Sequence, residues 1–188
     1  MEGRGTAAFS RVGASRTQTK LLEIGAGPGR DSRFFQDNGL DVTCTDLSPE
    51  MVALCRAKGL SAHVMDFLSL DFPEESFDAV YALNCLLHVP KTDLGGVLEK
   101  IQRLLKPNGL FYMGVYGNEN FEGVWPLDDY VPKRFFSFHT DEGIQKIVSG
   151  YFESVYFKAV PLDHVDHDER HFQSMILRRE HPTPSLPL

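Results

Sequence analysis

A short apolar stretch that runs into three alternating glycines most limits what this chain can fold into. Leu21–Ile24 is apolar apart from Glu23, and the glycines that follow it are Gly25, Gly27 and Gly29. This pattern predicts a buried strand, a tight turn and a helix start, because glycine accepts positive φ and lets a ligand approach the backbone. The helix would direct its free N–H groups and the positive end of its dipole at that ligand. The turn is therefore a predicted nucleotide or cofactor site.

After this turn, the sequence alternates between strand and helix patterns. Predicted strands cover Lys20–Ile24, Asp41–Thr45, Ser61–Met65, Phe77–Leu83 and Leu110–Val115, and predicted helices cover Gly29–Asn38, Ser48–Lys58 and a stretch from Leu94 to Leu105. We expect Phe34 and Phe35 to face the core, and Lys106–Gly109 to stop the third helix and form a turn. Because helices that join parallel strands cover both faces of the sheet, we expect a doubly wound α/β domain.

The last third of the chain follows a different pattern. Residues 117–138 are aromatic without clear periodicity, so we expect irregular structure there. Thr140 is a good N-cap for a following helix. The apolar face of that helix consists of Ile144, Ile147 and Val148. Phe152–Val160 and Phe172–Arg178 are predicted strands without a helix between them, which predicts an antiparallel hairpin.

Composition narrows the range of partners. The 188 residues are 42% apolar and 24% charged, which suits one globular domain. A net charge of −7 without a Lys/Arg cluster argues against nucleic acid and anionic membranes, and no apolar run approaches the roughly 20 residues of a membrane span. The separated Cys44, Cys55 and Cys85 indicate reduced thiols in the cytoplasm and no zinc site. We expect a small-molecule partner and either a monomer or a homodimer.

Residues 20–180 are expected to form the folded domain. Residues 1–19 are rich in Ser, Ala, Gly and Arg, and we expect a disordered or truncated N-terminal segment, with an organellar presequence as the alternative. The Pro-rich residues 181–188 predict a disordered tail.

Polar residues stand at the carboxyl ends of several successive predicted strands. In an open parallel sheet, ligands bind beyond the carboxyl ends of the strands. Asp46 ends the second strand, and its two oxygens can accept from both hydroxyls of a ribose. Leu47 and Met51 would then lie beside a base, and Asp66 with Phe67 could contact an adenine. Asn84 ends the fourth strand and would face the same cleft.

Two cofactors compete for this turn. Dinucleotide binders use G-x-G-x-x-G, but Arg30 occupies the position of the third glycine. The observed E-x-G-x-G-x-G, from Glu23 to Gly29, resembles motif I of the class I S-adenosylmethionine-dependent methyltransferases. Asp46, the Asp66-Phe67 pair, the fourth-strand segment and Leu105–Leu110 resemble further ordered motifs of that family. The resemblance covers about residues 20–178, most of the chain.

The resemblance implies the cofactor and the topology. It implies a Rossmann-like seven-stranded sheet in the order 3-2-1-4-5-7-6, with an antiparallel C-terminal hairpin and S-adenosyl-L-methionine as cofactor. Glu23 would orient the loop or hold the cofactor's ammonium group. Gly25, Ala26 and Gly27 would lie against its amino-acid moiety, close to Asn84.

Acceptor-side residues are predicted by their place after the fourth and fifth strands. His88 and Tyr116 are the candidate catalytic residues, and the other candidates are Trp125, Tyr130 and His139. The aromatic segment Tyr112–His139 is either a lid or pocket wall, or a loop packed over the sheet edge. Methyl transfer needs alignment more than acid catalysis, and a base only where the acceptor is protonated.

Two further alternatives stay open. The segment from Asp163 to His171 contains His164 and His167, which could chelate a metal, but a solvated loop is the favoured interpretation and no metal is predicted. The leading function is transfer of a methyl group to a small molecule. A non-catalytic cofactor-binding sensor or partner subunit is the alternative, because the head lacks the helical spacing usual in the family. An NAD-dependent oxidoreductase is disfavoured by Arg30.

Overall fold

A seven-stranded sheet with one antiparallel end is the framework of the protein. The computed structural model describes residues 20–126, 128–162 and 170–180. The strands of this sheet, in chain order, are β1 (Lys20–Ile24), β2 (Asp41–Asp46), β3 (Ser61–Val64), β4 (Phe77–Leu83), β5 (Leu105–Gly117), β8 (Glu153–Pro161) and β9 (His171–Arg178). A separate two-stranded hairpin consists of β6 (Phe121–Val124) and β7 (Phe135–Phe138).

Helices connect most of the parallel strands. They are α1 (Arg30–Asp37), α2 (Pro49–Ala57), α3 (Lys91–Leu104) and α4 (Asp141–Val148), with single 3₁₀ turns at Phe67–Ser69 and Leu86–His88. Local sequence explains their ends: Thr140 Oγ1 accepts from the Gly143 N–H at the start of α4, and Gly39 adopts positive φ just after α1.

The sheet order is β3-β2-β1-β4-β5-β9-β8. Pairs from β3 through β5 are parallel, whereas β9 pairs antiparallel with both β5 and β8. Without the small hairpin, this is the predicted order 3-2-1-4-5-7-6, so the fold class and the C-terminal hairpin are confirmed. The turn after β1 therefore lies at the carboxyl edge between β2 and β4.

The core lies on both faces of this sheet. Leu98 and Ile101 of α3 and Ile144 of α4 belong to the larger cluster, whereas Phe35 of α1 packs edge-on against Tyr81 on the other face. Each fully buried side chain of this size contributes about 1.5–3 kcal/mol. The carboxyl edge is thus part of a sheet that is packed on both faces.

Three local predictions are wrong. Phe34 is 44% exposed, because neighbouring helix residues are rotated by about 100° and only Phe35 can face the sheet. Lys106–Gly109 ends α3 but lies within β5, where the register with β4 shifts and Asn108 adopts a φ of 62°. Residues 117–138 contain the β6–β7 hairpin, whose four-residue strands are too short and too far apart to produce a visible period.

Several predictions fall on residues outside the described ranges. These are the head at 1–19, the tail at 181–188 and most of the segment that contains His164 and His167. Within the described ranges, no helix has the length and apolar character to cross a membrane. The same ranges contain no group of three or more His, Cys, Asp and Glu side chains that could hold a metal ion.

Candidate cofactor and acceptor site

The glycine turn is tightly packed at one position and open at another. Gly25 has a φ of 68°, and a Cβ there would lie 2.4 Å from the Cβ of Cys85. Gly27 has a φ of 53°, but a Cβ there would meet no atom within 4 Å. Gly25 is therefore needed to pack the turn against the end of β4, while Gly27 leaves free space against which a ligand can lie.

Asp46 ties the end of β2 to this turn. Its Oδ2 accepts from the Gly27 N–H at 2.8 Å, and its Oδ1 accepts from the Ser48 N–H at 2.9 Å. Each oxygen keeps a lone pair, so the carboxylate can still accept from a ligand. The cap of α2 is Ser48, whose Oγ accepts from the Met51 N–H at 3.2 Å. The predicted ribose acid is therefore placed beside Gly27 and is not the helix cap.

Glu23 is buried beneath the turn. Its side chain accepts a short hydrogen bond from the Ser32 hydroxyl in the first turn of α1, and the residue is 4% exposed. Loss of water raises the pKa of the Glu23 carboxyl to about 8, against the opposing hydrogen bond from Ser32. The charges of Asp31 and Asp46 raise it further. Glu23 thus anchors α1 to β1. Sequence reasoning missed Ser32, although its place at the helix start was a usable signal.

The predicted adenine-side residues line the turn after β3. The Phe67 ring passes 3.8 Å from the position of a Cβ on Gly25. Asp66 caps its own 3₁₀ turn by accepting from the Leu68 N–H at 2.8 Å. Leu47 is 63% exposed, and Met51 is half-buried. Phe67 is thus brought against the glycine turn, while Asp66 has a local structural role whatever it binds.

Asn84 has an unusual backbone and an unsatisfied side chain. It adopts a φ of 51°, and its N–H donates to the Gly114 carbonyl at 2.7 Å. Its Oδ1 is buried and has no hydrogen-bond partner within the described ranges. Next to it, the Cys85 thiol donates to the Ile24 carbonyl at 3.1 Å. Strained residues and orphan polar atoms of this kind concentrate at functional sites.

His88 joins the end of β4 to the small hairpin. Its Nδ1 lies 2.7 Å from the Phe135 carbonyl oxygen, and its ring centroid lies 4.7 Å from that of Phe136. Burial lowers the pKa of the His88 imidazole, and the nearby Arg134 charge lowers it further. The imidazole is therefore neutral near pH 7.

Of the next two acceptor-side candidates, Trp125 lies near His88 and Tyr116 does not. Trp125 packs with its ring centroid 4.9 Å from that of Phe121 and 5.3 Å from that of Phe138, in the cluster next to His88. Tyr116 lies apart, edge-on to Phe172 of β9 at 5.6 Å between centroids.

Tyr130 and His139 lie outside the Trp125 contacts. Tyr130 is 62% exposed on the connection between β6 and β7. His139 is half-buried; its carbonyl accepts from the Asn118 N–H at 2.9 Å, and burial lowers its pKa. The structure therefore groups His88 and Trp125 around one hairpin but does not gather all five candidates.

The sheet order and the glycine turn define a Rossmann-like domain, a fold in which ligands bind beyond the carboxyl ends of the strands, here those of β1, β2 and β4. Residues 22–113 match the family model described as a methyltransferase domain. A crystal structure of a Burkholderia thailandensis 1,6-didemethyltoxoflavin-N1-methyltransferase, with bound 1,6-didemethyltoxoflavin and S-adenosylhomocysteine, superposes with a TM-score of 0.76. It is 25% identical to this chain, and the match covers 95% of this chain and 78% of that one.

Proteins that are similar to this chain in sequence are also methyltransferases. A sterol 24-C-methyltransferase of Aspergillus fumigatus is 38% identical over 106 residues, which are 52% of this chain and 27% of that protein. The phosphoethanolamine N-methyltransferase 2 of Caenorhabditis elegans is 26% identical over 191 residues, covering 92% of this chain and 43% of its own length. This chain thus spans less than half the length of both relatives. The family-model match and these likenesses make the chain similar to the class I S-adenosylmethionine-dependent methyltransferases.

Proposed function

We propose that this chain binds S-adenosyl-L-methionine at the glycine turn and transfers its methyl group to a small-molecule acceptor. The hydrogen bond from the Gly27 N–H to Asp46 carries the proposal, because it unites an open glycine with a carboxylate that can still accept. The bound cofactor would supply a methyl group on a positively charged sulfur, which leaves as a neutral thioether. The protein's task is then mainly to align the acceptor.

Each cofactor contact is assigned to one part of the ligand. Gly25, Ala26 and Gly27 would lie against the amino-acid moiety, next to Asn84. Asp46 would accept from the ribose hydroxyls through the lone pairs that its backbone bonds leave free. Glu23 supports the turn from below and would favour the ammonium group once it loses its proton.

The adenine assignment rests on the turn after β3. The exposed Leu47 and the half-buried Met51 would flank the base from β2 and α2. Asp66 would accept from the adenine amino group through an oxygen not used in its cap, and Phe67 would offer its ring or its N–H.

On the acceptor side, His88 is assigned as the proton-accepting residue. A carbonyl oxygen only accepts, so the contact with Phe135 requires the hydrogen to be on Nδ1. Nε2 then holds the lone pair and can remove a proton from an acceptor. Tyr116 is assigned as a second polar group at the end of β5. Of the other candidates, Trp125 lies in the aromatic cluster next to His88 and would contribute to the acceptor pocket, whereas Tyr130 and His139 stay candidates.

The acceptor itself is proposed only as a small molecule. The names of the relatives specify methylation of a sterol carbon and of a phosphoethanolamine nitrogen, and the matching crystal structure is of an N1-methyltransferase. A net charge of −7 supports a partner other than nucleic acid. The three buried free cysteines support a cytoplasmic location, and the chain is proposed to act as a monomer or a homodimer.

Two measurements test this function. Calorimetry with S-adenosylhomocysteine and with NAD should show binding of the first only, and selective NAD binding would contradict the proposal. Labelled methyl from S-adenosylmethionine should then enter a compound in a small-molecule cell extract. Tight cofactor binding without any label transfer would instead support the non-catalytic alternative.

A further inference from the structure

On the connection between β6 and β7, Arg134 and Asp128 form an ion pair that is reinforced by several hydrogen bonds. Arg134 donates to Asp128 Oδ2 through its backbone N–H at 2.8 Å and its Nε at 3.0 Å, and to Oδ1 through Nη2 at 2.6 Å. The Asp128 side chain is 4% exposed, and that of Arg134 is 43% exposed. These bonds hold the pKa of the Asp128 carboxyl well below its usual range.

The ion pair fixes Arg134, the residue just before β7. The Trp125 N–H donates to the Arg134 carbonyl at 3.1 Å, and the Asp128 N–H donates to the Trp125 carbonyl at 3.2 Å. The Arg134 guanidinium also lies 4.0 Å from the Tyr130 ring centroid and 5.1 Å from that of Phe136. Backbone, side chain and ring contacts therefore all restrain Arg134.

The next two residues both contact His88. The carbonyl of Phe135 is 2.7 Å from His88 Nδ1, and the Phe136 ring packs against the imidazole. Because the Asp128 side chain is 4% exposed, this is not the kind of exposed surface pair that adds little to stability. Arg134 lies one residue before Phe135, so the ion pair is placed to fix the carbonyl that contacts His88.

We propose that the Asp128–Arg134 ion pair positions His88, by holding the Phe135 carbonyl where it binds the Nδ1 hydrogen. The imidazole is thereby kept in the tautomer whose Nε2 carries the lone pair. No residue of the described ranges hydrogen-bonds to Nε2, so this nitrogen is available to an acceptor. The charged groups that act on His88 are Arg134 and Asp128, with opposite effects on its pKa. The role in catalysis rests on the proposed function, whereas the positioning does not.

The tautomer can be measured without any substrate. Long-range proton–nitrogen NMR correlations distinguish Nδ1–H from Nε2–H imidazole, and His88→Gln identifies the signal. In the unmodified chain near pH 7 we expect His88 as the Nδ1–H form. Arg134→Gln should give a mixture with the Nε2–H form, and so should Arg134→Lys, because lysine keeps the charge but lacks the planar fork.

A matched control variant shows whether a change in the His88 tautomer comes from loss of this ion pair or from loss of any positive charge. Arg103→Gln on α3 removes an exposed arginine that pairs with Glu99 at 2.6 Å, far along the chain from the hairpin. The proposal requires that this variant keep the Nδ1–H form. An unchanged tautomer in both Arg134 variants, or an equal change in Arg103→Gln, would overturn it. Asp128→Asn provides a second route to the same answer if an Arg134 variant fails to fold.

Label transfer then tests the link to catalysis. Arg134→Lys should lower the rate of methyl transfer about tenfold, part of the hundredfold or more that a positioned base contributes. Affinity for S-adenosylhomocysteine should stay within about twofold, since the contacts of Asp128 and Arg134 given above are with the hairpin and not with the glycine turn. A changed tautomer with an unchanged rate would refute the base role of His88 while leaving the positioning intact.

Discussion

At Glu23, the surrounding fold and the proposed cofactor favour opposite protonation states of the carboxyl group. Burial and two neighbouring acids favour the protonated form, with a pKa of about 8. A bound ammonium group would favour the charged form. Cofactor binding is therefore expected to release a proton from this carboxyl near pH 7.

The pKa of Glu23 predicts a specific pH dependence of stability. The folded protein holds this proton more tightly than the unfolded chain, whose carboxyl titrates near 4.5. Its contribution is thus fully present below pH 4.5 and is lost as the pH rises to about 8, at up to about 1.4 kcal/mol per pH unit. Glu23→Gln should remove this slope. Melting temperatures between these pH values check it, with exposed Glu74→Gln as the control that should keep it.

Asp46→Ala should weaken S-adenosylhomocysteine binding by about 1.5–3 kcal/mol, as expected for hydrogen bonds to a charged group. The structure adds a second cause, because the variant also frees the Gly27 N–H and loosens the turn. Asp41→Ala changes an exposed acid at the other end of the same strand and should leave affinity unchanged. Calorimetry measures both, and equal affinity of Asp46→Ala and wild type would contradict the ribose assignment.

At the scale of the element, the glycines of the turn after β1 differ in what a side chain would meet: Gly25 packs against Cys85, whereas Gly27 faces open space. Gly25→Ala forces a Cβ against Cys85 and should destabilise the fold by more than about 2 kcal/mol. Gly27→Ala meets no neighbour, so it should cost only the roughly 1–2 kcal/mol of a left-handed residue. Its methyl group would occupy the space assigned to the cofactor.

These two variants should therefore differ mainly in stability. We expect both variants to lose at least about tenfold in S-adenosylhomocysteine affinity, but Gly25→Ala should also lose much more melting temperature than Gly27→Ala. Thermal unfolding and calorimetry on the same samples distinguish the two effects. Full cofactor affinity in Gly27→Ala would show that the ligand lies elsewhere.

Strands could be predicted from the sequence where an apolar run that becomes buried is bordered by turn residues. β1 and β4 have the predicted bounds, because each is an apolar run bordered by turn residues. The β6–β7 hairpin was missed because its stability comes from contacts distant in sequence, such as Phe136 with His88. Ser32 and the Asp128–Arg134 ion pair were missed although their partners lie only nine and six residues away, because no periodic pattern marks a side-chain pair across a turn or loop.

At the scale of the whole molecule, the missed hairpin is part of the main core. Phe136 and Phe138 belong to the same buried cluster as Leu98 of α3 and Met175 of β9, and Trp125 packs against it. The glycine turn reaches the hairpin through Cys85 and His88. The glycine turn and the hairpin are thus joined through one packed core.

This continuity predicts a single unfolding transition. Trp125 is the one tryptophan of the chain, so its fluorescence reports on the hairpin, while far-ultraviolet circular dichroism reports on the sheet and helices. If the hairpin unfolds with the core, the urea midpoints from the two signals should coincide. Phe138→Ala should lower both midpoints together, by about 3–5 kcal/mol in the free energy of unfolding, because it empties a core position. A fluorescence transition at lower urea than the dichroism transition would instead make the hairpin a separate lid.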